Sequence, residues 1–461
     1  MKTYILENIS KLPNWILFIL MKLNRYPRIV FGSRYFHRYS ALKKGALDNP
    51  DDEALLSFVN IAIKDIPYYQ KTLKGTPIES LDDFESEVPF IDKDTVLANF
   101  ADFLNPTLDI SNYDHGTTGG TSGKPLKLIM PPDRYVVELA TMHYLWSVVG
   151  YNFDVRAVIR NHKLCDNEIF TINPITKEVI FDGFRLNDEY FEQLYSVLKS
   201  QKIRFIHCYP STAYEFSKYL VKENKDCSFI HAFLCGSENV VTYQRKFIEN
   251  NLSILFFSFY GHSEKLVLGG FCSGNNRTND EVDSFFEPSY GYYELIDEQG
   301  EVIKEAGILG EIVGTSLHNF GMPLIRYRTG DFALYKSMNG LDKYGRNLPV
   351  IGPIQGRWGG EKIYNKDDTF VTTTALNLHS DLYTKINGIQ YLQKEKGILD
   401  VLIVKGDGYS EYDEKALYKH FESKMNLDTL ITIRYVDNLI RKNNGKFLQL
   451  LSDLNVGSNI K

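Results

Sequence analysis

His115-Gly116-Thr117-Thr118-Gly119-Gly120-Thr121-Ser122-Gly123-Lys124-Pro125 combines glycines, four hydroxyls and a lysine within eleven residues. Glycines let the backbone approach an anion closely, and successive N–H groups form a nest for phosphate oxygens. The hydroxyls add donors and Lys124 adds a charge. The pattern is not that of the Walker A loop, which needs glycine at 118 and Ser or Thr at 125, where Thr118 and Pro125 stand. The bland alternative is a flexible turn, which the density of anion-binding groups disfavours.

A second group of residues stands where strands are predicted to end. Arg160 and His162 stand at the end of the strand expected at 157–160, and His207-Cys208 near the end of the run Phe205-Ile206-His207-Cys208-Tyr209. Open α/β sheets bind ligands at the carboxyl ends of their strands. On one reading Arg160 pairs with an anionic substrate and His207 and Cys208 line its pocket. On the other these residues are packing.

The elements that would position these groups alternate. Residues 55–64 read as a buried helix stopped at Ile66-Pro67, and Asp92 reads as the N-cap of a helix over 93–100. A strand at 126–130 follows the glycine-rich loop, and 134–149 has helical periodicity. Strands are expected at 157–160, 205–209, 230–234 and 254–259, with helices at 190–199, 212–223 and 243–249 between them. Such alternation implies a mainly parallel sheet with helices on its faces. After Gly291 the pattern turns antiparallel, with strands at 292–297 and 310–315. The glycine-rich stretch 352–360 marks a boundary, and strands at 400–404, 432–436 and 447–451 with a helix at 411–425 form a small α+β unit. The fold class expected is therefore α/β: a large N-terminal domain of mainly parallel sheets flanked by helices, with an antiparallel β part, and a small mobile C-terminal α+β domain. The divisions are 1–50, 51–355 and 356–461.

The chain has 461 residues, 43% hydrophobic and 24% charged, with net charge −6. This is ordinary globular composition, which argues against disorder and against a duplex-DNA binder. Five cysteines without a C-x-x-C pair suit a reducing compartment and give no zinc signature. The N-terminal apolar run at 15–21 is far shorter than the roughly 20 residues a membrane span needs, and no leader cleavage site follows it; a cytoplasmic location is expected. Residues 1–48 carry nine Lys/Arg against Glu7 and Asp48, a net +7, leaving −13 for the rest. Aromatics interleave with these charges. That arm reads either as a peripheral contact with an anionic lipid surface at the inner membrane face or as helices packed on the body with their charges solvated.

Further blocks give the phosphate loop a context. The T-S-G-K-P stretch, Phe259-Tyr260-Gly261-His262-Ser263-Glu264, Tyr327-Arg328-Thr329-Gly330-Asp331, Gly356-Arg357 and Gly445-Lys446 occur in this order. Together they resemble the AMP-forming adenylating superfamily of acyl-CoA synthetases, peptide-synthetase adenylation domains and luciferases. Ile66-Pro67-Tyr68-Tyr69 and Tyr209-Pro210-Ser211 are similar to the phenylacetate–CoA ligase and capsular-polysaccharide-biosynthesis branch. Gly119 stands where the family usually has a hydroxyl residue, and Glu361 is the first acidic residue after Gly356-Arg357.

The resemblance implies a ligase that joins a carboxylic acid to ATP as acyl-AMP and passes the acyl group on. Thr117, Thr118, Gly119, Gly120, Thr121, Ser122, Gly123 and Lys124 would hold the β- and γ-phosphates. Tyr260 would stack on adenine, with Gly236, Ser237 and Glu238 lining the base. Gly261, His262 and Ser263 complete that block, His262 being a substrate contact or filler. Asp331 would accept from the ribose hydroxyls, Arg357 would reach the ribose or phosphates, Glu264 would bind Mg²⁺, and Lys446 would bridge the carboxylate and the α-phosphate. Singly, Glu264 reads as a surface acid, Asp331 as a turn residue and Lys446 as an exposed hairpin lysine. The partners implied are a small-molecule or glycan-linked carboxylate and an amine, thiol or hydroxyl acceptor, with no nucleic acid; relatives in this branch are commonly homodimers. A role in surface-polysaccharide synthesis, an aryl- or acyl-CoA ligase using CoA, and a non-catalytic nucleotide-binding scaffold all fit.

Overall fold

The computed structural model of the chain describes residues 12–23, 27–45, 52–118, 126–272, 284–342, 345–356, 361–373, 375–376, 382, 385–406, 408–440, 448–452 and 454. Of the residues expected to form the site, Gly119, Gly120, Thr121, Ser122, Gly123, Lys124, Arg357 and Lys446 lie outside them.

Two N-terminal helices, α1 (Asn14–Leu23) and α2 (Pro27–Lys43, kinked at Gly32), pack on the body. Helix α1 buries Leu17 and Met21, and its other side exposes Trp15, Ile19 and Leu23. Helix α2 is tied down by Tyr35, whose hydroxyl lies 2.7 Å from His143 Nδ1, and by Arg38, which donates to Thr141 and Ser289. No helix among the described residues is long and apolar enough to cross a membrane.

Helices α3 (Asp52–Asp65) and α4 (Pro67–Thr72) meet at Ile66-Pro67, where proline ends one helix and opens the next as its first residue. Short helices α5 (Leu81–Glu87) and α6 (Lys93–Ala98) follow, capped by the side chains of Ser80 and Asp92. The glycine-rich stretch is not all loop. Its first residues form β1 (Asp114–Thr117), which pairs antiparallel with β2 (Lys127–Met130). Alternating register brings His115 opposite Ile129, which a loop expectation built on composition overlooked.

The central sheet contains β3 (Arg156–Ile159), β4 (Phe170–Asn173), β5 (Glu178–Phe181), β6 (Phe205–Cys208), β7 (Ala232–Gly236), β8 (Leu255–Gly261), β9 (Leu268–Cys272) and β10 (Phe285–Phe286). Its order is β10-β9-β8-β7-β6-β3-β5-β4, parallel from β8 through β5 and antiparallel at both margins. Helices α7 (Arg134–Trp146), α8 (Asp188–Gln201), α9 (Pro210–Lys222) and α10 (Thr242–Leu252) cover it. One face buries Ala157, Ile159, Ile206, Cys208, Phe233 and Cys235. The opposite face presents Phe205, Leu234 and Phe257 to Trp146 of α7. Cys208 therefore packs in the core, as one of its two readings had it.

An antiparallel sheet of β11 (Gly291–Ile296), β12 (Leu309–Ser316), β13 (Tyr327–Leu341) and β14 (Asn347–Ile351) completes the large α/β domain. The smaller C-terminal α+β part has the hairpin β15 (Lys362–Tyr364) and β16 (Phe370–Thr372). It continues with β17 (Ile386–Glu395), β18 (Ile398–Lys405), helix α11 (Glu411–Glu422), β19 (Leu430–Tyr435) and β20 (Leu450–Ser452), the four strands ordered β19-β18-β17-β20.

Several histidines are buried in neutral form. Burial pushes His318 down to about 4, and pushes His143 and His207 well below the ordinary histidine range. Between pH 6.5 and 4 the unfolded chain takes up protons that the native state refuses. Stability should therefore fall as pH falls, by up to about 1.4 kcal/mol per pH unit for each such histidine. Urea midpoints measured at pH 7 and pH 5 should differ in that direction; equal midpoints would contradict the buried neutral assignment.

Candidate active site

A cavity of about 660 Å³ opens at the carboxyl ends of β3, β6, β7 and β8. It draws residues from well-separated parts of the chain. Ser237 and Glu238 follow β7, Tyr260 and Gly261 end β8, His262, Ser263 and Glu264 come next, and Asp331 comes from β13. Thr118 lines the cavity, whereas Thr117, in β1, does not. Gly236 ends β7 against β8, where a Cβ would stand 2.3 Å from the Phe259 ring, so only glycine lets the two strands close.

The Tyr260 and Asp331 blocks are stitched together by two hydrogen bonds. The Tyr260 hydroxyl donates to Asp331 Oδ2 at 2.9 Å, and the Tyr327 hydroxyl to Glu264 Oε1 at 3.1 Å. Asp331 is not in a turn. It lies in the long strand β13, within an irregularity of the pairing between Arg328 and Phe332, opposite 311–313. Glu311 fills that irregularity, accepting from the Arg328 guanidinium at 2.8 and 2.6 Å and from the Gly330 N–H at 2.9 Å. Gly330 takes φ +72°, which glycine adopts without strain, and this turns Asp331 toward the cavity.

Glu264 is not a surface acid, since its side chain is 6% exposed. His262 Nε2 accepts the Val267 N–H at 3.3 Å, so the ring proton sits on Nδ1 and points at Glu264 Oε2, 3.2 Å away. His262 thus holds the carboxylate from one side and Tyr327 from the other. Burial pushes the Glu238 carboxyl up, against Ser211, Thr372 and the charge of Arg160, which favour its ionised form.

The other half of the cavity is walled by Tyr135, Leu139, Met142 and Trp146 of α7, with His207 and Phe259 on the sheet. The rings of Trp146 and His207 lie 5.1 Å apart, and those of His207 and Phe259 6.2 Å. Arg160 Nη1 lies 2.8 Å from His207 Nε2. A guanidinium only donates, so Nε2 accepts and His207 is neutral. His207 and Arg160 are therefore cavity residues; His162 is not.

Sequence reasoning missed Asn239, Lys93 and Tyr135 at the cavity. Asn239 clasps the segment leading to the C-terminal part: its Nδ2 donates to Gly356 O at 3.0 Å and its Oδ1 accepts from Gly356 N at 3.1 Å. Phe332 and Gln355 exchange backbone hydrogen bonds beside it. Only the position of Asn239, directly after Gly-Ser-Glu, could have signalled it.

No protein-family model and no curated protein matches the sequence. Solved structures do match the fold. The chain is similar to 2-hydroxyisobutyryl-CoA ligase in complex with 2-HIB-AMP and CoA in the thioesterification state, at 15% identity and a TM-score of 0.51 over 87% of this chain and 89% of that one. The same ligase in the postadenylation state with R3-HIB-AMP gives 14% identity and 0.49 over 88% and 90%. The amide bond synthetase McbA from Marinactinospora thermotolerans gives 13% and 0.40 over 72% and 67%. The first likeness shows the architecture: a large mixed α/β domain followed by a smaller α+β domain, as in that CoA ligase.

Proposed function

We propose that the chain is an ATP-dependent, AMP-forming carboxylate ligase. The observation that carries this reading is the joining of two motif blocks, 63 and 71 residues apart at the points of contact, by the Tyr327–Glu264 and Tyr260–Asp331 hydrogen bonds at the mouth of one cavity. The fold shared with a CoA ligase supports it.

In the reaction a substrate carboxylate oxygen attacks the α-phosphorus of ATP, the bond to the bridging oxygen breaks, and pyrophosphate leaves with that electron pair. Two anions must meet, so positioning and charge neutralisation dominate. Asp331, with one oxygen on the Tyr260 hydroxyl, accepts from the ribose. The segment 236–238 borders the base, and Thr118 with residues 119–124 takes the phosphates. Arg357 and Lys446 supply positive charge, Lys446 at the carboxylate and α-phosphate.

Glu264 fits a magnesium ion. Its buried carboxylate, oriented by the Tyr327 and His262 donors, presents hard oxygen atoms beside the cavity. Magnesium commonly takes one or two carboxylates together with phosphate oxygens and water. Bound there, the ion would neutralise charge on the leaving pyrophosphate. His262 and Tyr327 fix the orientation of that carboxylate.

The acyl group then passes to an amine, hydroxyl or thiol acceptor, which we assign to surface-polysaccharide assembly. The branch resemblance and the exposed Trp15, Ile19 and Leu23 on the basic N-terminal arm support this choice. An acyl-CoA ligase is the second reading, favoured by the fold shared with a CoA ligase. Carboxylate-dependent ATP–pyrophosphate exchange, run with Mg²⁺ across aryl, fatty, amino and uronic acids without CoA, tests adenylation. Exchange with one class of acid is expected. ATP binding without exchange for any acid would favour a scaffold. Adding CoA or amines then separates the acceptors.

A further inference from the structure

Arg160 places a guanidinium in the substrate half of the cavity without an ion pair among the described residues. Its contacts are all neutral: His207 Nε2 at 2.8 Å, Ser237 Oγ at 2.7 Å, and the Tyr209 ring with its centroid 4.9 Å from Cζ. Among the described residues no carboxylate oxygen lies within 4.0 Å of it. Two of the nearby acids form ion pairs elsewhere, and a third, Glu238, does not reach the guanidinium. Glu178 pairs with Arg156 and Glu138 with Lys265 at 2.6 Å, while Glu238 feels the charge of Arg160 but accepts from the Ser211 N–H. A half-buried guanidinium with neutral partners and no ion pair among the described residues is available to an anionic ligand that enters the cavity.

The guanidinium is also held in place. It leaves the end of β3, crosses β6 over His207, and reaches Ser237 at the end of β7. Ser237 takes φ +69°, a strained conformation for a residue with a Cβ, and that backbone aims its hydroxyl at the guanidinium. A planar, pre-oriented guanidinium is suited to a carboxylate or another planar oxyanion.

Its position separates it from the reacting carboxylate. Arg160 is rooted three strands from β8, about 14 Å away at the backbone, and its head ends one strand spacing, about 5 Å, short of β8. The adenylation groups Tyr260, Ser263 and Glu264 sit at and beyond the end of β8. Between them lie the rings of His207 and Phe259 and the apolar wall of α7.

We infer that the acid substrate is dianionic: a compact molecule whose second anionic group, a carboxylate or equivalent oxyanion, is bound by Arg160 while the first is activated. This rests on the adenylating reading of the same site, and the test separates the two. Binding of matched acids would be followed by fluorescence of Trp146, which lines the cavity, using succinate against butyrate and isophthalate against m-toluate. In the wild type at least one dianion should bind about tenfold or more tightly than its monoanionic partner. Arg160→Gln should remove that difference, and Arg160→Lys should restore part of it. Melting temperatures of both variants report their folding. Absence of a preference for the dianion in every pair, or equal weakening of both members by Arg160→Gln, overturns the inference. Pyrophosphate exchange with the same acids reports separately on adenylation. Exchange without a dianion preference sinks the role of Arg160 alone, and a preference without exchange sinks adenylation alone.

Discussion

Glu264→Gln should lower the rate of pyrophosphate exchange on the order of 10³-fold, several kcal/mol of transition-state stabilisation, with little change in melting temperature. The two effects separate because of what surrounds the side chain. The substituted amide can turn its oxygen to the His262 Nδ1–H and its NH₂ to the Tyr327 hydroxyl, which can accept as readily as donate. Packing and hydrogen bonds survive, and only the negative charge is lost. Raising Mg²⁺ should recover little activity, since the charge that would attract the ion is gone. Tyr327→Phe and His262→Ala, which remove one orienting bond each, should cost less, about tenfold, and should respond to added Mg²⁺. Exchange in Glu264→Gln within threefold of wild type would remove Glu264 from the metal role.

Arg326→Met should destabilise the fold by about 3–5 kcal/mol. Arg326 is 2% exposed and Glu294 1%, and the two form a bidentate pair at 3.2 and 2.9 Å. The guanidinium also donates to the carbonyls of Glu85 and Val88 at 2.6 and 2.8 Å, and its Cζ lies 4.0 Å from the centre of the Phe90 ring. Truncation leaves an acid in the core without its cation, and burial already pushes that carboxyl up. Adding Glu294→Gln should recover part of the loss. The urea midpoint of the single variant should fall accordingly, and a change under 1 kcal/mol would show that the pair is dispensable. Exchange activity should suffer as well, because Arg326 precedes Tyr327 and its carbonyl receives the Ile91 N–H that anchors this strand.

Much of the large domain was legible because its helices and parallel strands follow simple periods. Residues 55–64, 190–199 and 212–223 carry an apolar face, and runs such as 254–259 are apolar but for Ser258, as befits strands covered on both faces. What escaped was structure specified by polar letters. Strand β17 was invisible partly because Gln390 and Gln393 interrupt its apolar pattern. Both are fully buried, and their amides satisfy the carbonyls of Ile440 and Leu448 and of Tyr364. The hairpin of β4 and β5 is too short to show a period. At the site, the resemblance of the motif blocks, not the residue types taken singly, pointed to Glu264 and Asp331, and neither showed that Tyr327 and Tyr260 would bind them. Such partners are set by how β8 and β13 meet, across a separation of some seventy residues. Asn239 escaped for the same reason.

The clasp between Asn239 and Gly356 makes the start of the C-terminal part an extension of the cavity wall. Residues 237–239 line the cavity, Asn239 also holds the departing chain, and Asp331 precedes the residue that pairs with Gln355. If the C-terminal part turns about this segment, filling the cavity and that turning are coupled events. Any ligand that favours one arrangement of residues 236–239 favours one setting of the pivot, and by reciprocity a fixed pivot changes the affinity for that ligand by the same factor.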